Sequence, residues 1–83
     1  MSAAKFTVRL NNTAANMLSV IYARNTSNFR QAVKSIEEDV SDPTKVKRVE
    51  GYDDVYVASG HGMNVVFQKD ANLATVTAVA LAG

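Results

Sequence analysis

The chain has 83 residues, 47% hydrophobic and 20% charged, with nine basic residues, eight acidic ones and a formal net charge of +1. That length supplies one small domain, 1–83, with a modest core. The lack of cysteine excludes a disulfide framework and thiol chemistry, and so balanced a charge does not by itself mark a nucleic-acid binder, which needs cations concentrated on one face. No stretch approaches the roughly 20 apolar residues of a membrane span. "MSAAKF" has no apolar run behind a basic start, so a cytoplasmic protein without signal peptide or membrane contact is expected.

"KFTVRL" opens the pattern. Phe6, Val8 and Leu10 alternate with Lys5, Thr7 and Arg9, the period of a half-buried strand. "NNT" breaks it and offers helix N-caps. From Thr13 to Arg24 the period becomes helical, with Ala14, Met17, Leu18 and Ile21 on one stripe. A second helix is expected with Ser27 as N-cap and Phe29, Ala32, Val33, Ile36 and Val40 as its apolar stripe. Lys34, Glu37 and Glu38 lie off that stripe. Pro43 excludes helical geometry at Asp42 and ends the element. The short link predicts a helical hairpin.

Three apolar runs follow: "DVYVAS", "MNVVFQK" and "TVTAVALA". "GHG" and "DAN" separate them, so two consecutive β-hairpins are expected. The element order is β-α-α-β-β-β. It predicts an α+β domain, an antiparallel sheet with the helical hairpin on one face. Phe6, Val8, Met17, Ile21, Phe29, Val33, Ile36, Val65, Phe67, Val76 and Val79 form the expected core. The last run is apolar on both faces. It is therefore either central in the sheet or paired with another chain, which leaves a homodimer open.

Few residues carry chemistry. The only histidine, His61, stands in "GHG". Histidine suits proton transfer, but a site needs a second group beside it, and Asp53, Asp54, Lys69 and Tyr56 are the neighbours available in sequence. The alternative is a turn residue, with the flanking glycines supplying positive φ. One histidine and no cysteine cannot close a metal site, and no phosphate-binding loop, carboxylate pair or triad is present, so no cofactor is expected. Lys45, Lys47 and Arg48 are a candidate contact for RNA phosphates or an acidic partner, unless Glu50, Asp53 and Asp54 balance them as a solvated loop. Tyr22, Tyr52 and Tyr56 offer rings for stacking or for packing. Asn64 and Gln68 share one face of their strand as polar candidates.

The order of elements, with "VKRVEGYDDVYVASGHGMNVVFQKD", resembles the RelE/ParE toxin superfamily of type II toxin–antitoxin systems. Val49, Gly51, Asp54 and Tyr56 stand in one family segment; Gly62, Val65, Val66 and Phe67 stand in the next. The resemblance implies a small toxin that inhibits translation by cutting ribosome-bound mRNA, or that acts on gyrase, and that an antitoxin neutralises. It also implies lysines after the tyrosine and an arginine on the following strand. Here those positions hold Val57, Ser59 and Asn64, and the chain closes on "ALAG". Metal-free RNA cleavage needs groups that move protons and stabilise the phosphorane charge. Three readings follow: a toxin, and so a ribonuclease by resemblance; a non-catalytic binding or adaptor relative acting through its sheet face or C-terminal strand; and an enzyme with a site relocated to His61.

Overall fold

The computed structural model describes residues 6–22 and 26–82, with Thr26 and Ser27 by backbone alone. The order is β1 (Thr7–Leu10), α1 (Asn12–Ile21), α2 (Thr26–Ser41), β2 (Val46–Arg48), β3 (Val55–Gly60), β4 (Met63–Asp70) and β5 (Leu73–Leu81). The α+β class is as expected. Two features differ from the expected arrangement. A three-residue strand, β2, precedes β3, and the sheet is mixed, because β1 runs parallel to β5. Three residues show no period, and β1 and β5 share no hairpin that would dictate their relative direction.

The strands are ordered β1-β5-β4-β3-β2. Apolar character on both faces of β5 is explained by its central place between β1 and β4. A bulge adjusts its faces: Val66 pairs with Ala78 but Phe67 with Val76, leaving Thr77 as the extra residue. Thr77 Oγ1 donates to the Val66 carbonyl at 3.3 Å. Buried positions on β5 therefore run Ala74, Val76 and then Val79, and each meets the helix side.

Asn11 caps α1, its side-chain oxygen accepting from the Ala14 amide at 2.8 Å. The helix ends at Ile21, short of the expected Arg24, which lies outside the described residues. α2 already includes Ser27, the expected N-cap, whose side chain also lies outside them. α1 packs mainly on β5 and α2 mainly on β3. Their inward residues, Ala14, Leu18, Ala32, Ile36 and Val40, join Ala58, Met63, Val65, Phe67, Ala74, Val76 and Val79 in one core. Met17, expected inside, is 36% exposed, because Ala14 and Leu18 set the inward line of α1 and put Met17 at its edge. Phe6, Val8, Ile21, Phe29 and Val33 are half-buried against the core.

Past Ser41 the chain turns on Asp42, whose carboxylate accepts from the Thr44 hydroxyl at 2.7 Å and the Thr44 amide at 2.9 Å. Those bonds hold the Asp42 carboxyl below its ordinary 3.8. A carboxyl lowered in the folded state stabilises above its unfolded value, and that contribution is lost as the pH falls through the folded value. Thr44→Val is expected to raise the Asp42 midpoint toward 3.8, read by carboxyl NMR titration. Phe67, 1% exposed, is expected to cost about 3–5 kcal/mol on replacement by alanine, measured by urea unfolding.

Candidate functional site

The register separates the sheet into two faces. Away from the helices lie four cross-strand rows: Ser59, Asn64 and Ala80; Lys47, Val57, Val66 and Ala78; Val55, Gln68, Thr75 and Arg9; and Asp70, Leu73 and Thr7. Asn64 and Gln68 thus share this outer face, on either side of Val66. Lys47 and Arg9 reach it only from the two outermost strands. Four strand spacings of about 4.8 Å separate β2 from β1, so two lone cations stand at the rims of a neutral centre. The positions that the family resemblance fills with lysine and arginine are on this face. Ser59 Oγ donates to Asn64 Oδ1 at 2.8 Å, and Val57 lies against Val66.

The other candidates go elsewhere. Tyr56 points to the helix side and stacks on Phe67, 5.7 Å between ring centroids. Arg48 donates to Asp53 Oδ1 at 2.9 Å and to the Tyr52 carbonyl at 3.2 Å. That pair is exposed and contributes little. Lys45 turns inward and donates to Asp39 Oδ1 at 3.1 Å. The structure therefore disperses Lys45, Lys47 and Arg48, leaving only Lys47 of the three without an ion pair among the described residues.

His61 has a neighbour that sequence distance conceals. Its Nδ1 lies 2.9 Å from Asp39 Oδ1, and its Nε2 lies 3.8 Å from Glu38 Oε2. Asp39 is fully buried. One of its oxygens takes both Lys45 and His61, and Oδ2 has no hydrogen-bond partner. The sequence carries one signal for this. Asp39 falls three residues after Ile36 and seven after Ala32, on the apolar stripe of α2, where an acid must find cations. Neither Asp53 nor Asp54 contacts the ring.

Turn chemistry brings His61 there. His61 has φ 53° and Gly62 φ 74°, the paired left-handed geometry of a two-residue hairpin between β3 and β4. His61 itself thus takes one of the positive φ values expected of its flanking glycines. Gly60 serves a different need: a Cβ there would lie 2.5 Å from Asp39 Oδ1 and 2.8 Å from Oδ2.

A groove of about 300 Å3, lined by Tyr22, Gln31, Ser35, His61 and Met63 among others, adjoins the ring. An imidazole oriented by a buried carboxylate is half of an acid–base arrangement. Yet the Ser35 hydroxyl donates to the Gln31 carbonyl at 3.0 Å and the Tyr22 hydroxyl to Met63 Sδ at 3.9 Å. Among the described residues no hydroxyl bonds to the ring, and no cluster of metal-ligating side chains is present. The cluster acts chemically as a clamp, joining α2, the approach to β2 and the β3–β4 turn. No helix among the described residues is long and apolar enough to cross a membrane.

An open mixed sheet covered on one side by two helices, with a free outer face, is the fold of RelE-like toxins. Among solved structures the chain is similar to the RelBE2 toxin–antitoxin complex of Mycobacterium tuberculosis, with a TM-score of 0.69 and 15% identity over 94% of this chain and 99% of that one. It is also similar to the YoeB dimer of Staphylococcus aureus, with a TM-score of 0.59 and 13% identity over 90% of this chain and 94% of that one. No protein-family model matches the sequence, and no curated protein matches it.

Gly60→Ala is expected to destabilise by about 1–3 kcal/mol, because buried Asp39 cannot step aside. In an Asp39→Ala background the same change is expected to be neutral or slightly stabilising. A double-mutant cycle by urea denaturation would then give a coupling of at least about 1 kcal/mol.

Proposed function

We propose that this protein is the toxin of a toxin–antitoxin pair, acting on translation or on gyrase in the cytoplasm and held inactive by an antitoxin. The observation that carries this reading is the likeness of fold to the RelBE2 structure, which spans nearly the whole of both chains. The outer sheet face is the proposed target surface, with Lys47, Asn64 and Gln68 as contact residues. Lys45, Arg48 and Tyr56 lie off that face, and their exposed parts are offered to the antitoxin. The similar YoeB structure is a dimer, which supports self-association.

A second reading rests on a specific feature. Where charge stabilisation of a phosphorane would be needed, the face carries Val57, a Ser59 hydroxyl given to Asn64, and Asn64 itself. Each lost electrostatic contact typically costs about 10²–10³ in rate. This favours a protein that binds its target without cutting RNA, through the outer face or through β5. Beyond Val76, β5 pairs with β4 alone, so its last residues keep an open edge.

Induced expression in a bacterial host is expected to arrest growth, and coexpression of the adjacent gene to relieve it. Mapping of 5′ ends on ribosome-bound mRNA separates the readings: new cuts mark a ribonuclease, DNA breaks mark gyrase, and arrest with neither marks a binder. Lys47→Glu with Gln68→Glu, both on exposed side chains, is expected to abolish arrest while thermal unfolding stays nearly unchanged. Full growth under strong expression would overturn the toxin reading, and unchanged arrest in His61→Ala would rule out a site centred on that ring.

A further inference from the structure

We propose that a cavity on the helix side of the sheet, remote in character from the outer face, binds a small apolar carboxylate such as a medium-chain or aryl-alkyl acid. The cavity measures about 320 Å3. Phe6, Val40, Val46, Tyr56 and Phe67 form its apolar wall, with Ser41 and Lys69 as its polar residues. A dry apolar cavity of about 150 Å3 holds benzene, so twice that volume accepts roughly ten non-hydrogen atoms. The size also falls at the lower end of ordinary small-molecule sites, about 300–1,000 Å3.

Charge selects the class of ligand. Among the described residues no acidic side chain lines the cavity. Lys69 lies on the helix-facing side of β4, its ammonium 4.8 Å from the centre of the Phe6 ring. Among the described residues it makes no ion pair. The nearby acids are otherwise engaged: Asp42, between Ser41 and Pro43, bonds to Thr44, and Asp54 offers Lys69 only a backbone carbonyl, at 3.1 Å from its amide. The Tyr56 hydroxyl makes no hydrogen bond to another described residue. Ser41 Oγ accepts the Phe6 amide at 3.0 Å and keeps its own proton to donate. An ammonium and two hydroxyls thus border an apolar floor. All three can donate, so a carboxylate finds charge-assisted donors there while its hydrocarbon body replaces water along Val46 and Phe67. A neutral alcohol of the same length gains the second term only.

The probe is octanoate, with 1-octanol as the uncharged comparator, titrated into the isotopically labelled full chain and followed by amide NMR. Saturable shifts at Phe6, Val46 and Lys69 are expected for octanoate. Binding should be about tenfold weaker in Lys69→Met and for octanol against the native chain. Val46→Phe, which fills the wall without touching the cation, should also remove binding. Absence of saturable shifts overturns the proposal. So do equal affinities for acid and alcohol, unchanged affinity in Lys69→Met, or shifts centred on Asn64 and Gln68 or on His61. Because Lys69 is exposed, Lys69→Met keeps the fold, and neither outcome depends on growth arrest.

Discussion

The architecture depends on β5 having a partner on each side. It takes β1 in parallel and β4 in antiparallel pairing, which ties the first strand of the chain to the last. Over Leu73–Val76 such pairing satisfies backbone groups on both edges of a strand that is apolar on both faces. Thr77 makes it workable. Without the extra residue, Val79 would turn to the outer face, and the helix side would lose its contact with Val65, its partner across the sheet. The bulge keeps Ala74, Val76 and Val79 in the core formed with α1 and α2.

The second constraint is electrostatic. Asp39 is the only buried charged residue among those described. A buried carboxylate is tolerated only when cations and hydrogen bonds replace water. Lys45 and His61 come from different segments to meet it, and Gly60 gives up a side chain so that the carboxylate can approach the backbone. The same positive-φ turn that reverses β3 into β4 therefore brings the imidazole to α2. The ring sits between Asp39, 2.9 Å from its Nδ1, and Glu38, 3.8 Å from its Nε2.

These two constraints divide the molecule into surfaces of different character. The outer face is broad and neutral in the middle, with Lys47 and Arg9 on its two outermost strands and Asp70 at its turn end. On the helix side, besides the groove next to His61, the packing opens where the chain leaves α2, and there Lys69 stands over Phe6 beside an apolar cavity. The fold is shared with RelE-like toxins although identity is only 15%. Preserving the alternation of buried positions is enough to preserve a fold, while the exposed positions that would carry chemistry are free to change.

What the sequence by itself determined was everything with a local cause. Alternation in "KFTVRL" and "MNVVFQK", the 3.6 period through Leu18 and Ile36, the Asn11 cap, the stop at Pro43 and the turn at His61–Gly62 each follow from neighbours a few residues apart, so the α+β class and the order of every element but β2 were legible. Only the tertiary structure decided the rest, because it turned on segments distant in the chain. The parallel pairing of β1 with β5, the brief β2, the inward turn of Tyr56 and Lys45, and the meeting of Asp39 with His61 across 22 positions have no periodic signature. A lone acid on an apolar stripe announces that cations must come to it; which ones arrive is settled by how the strands are stacked.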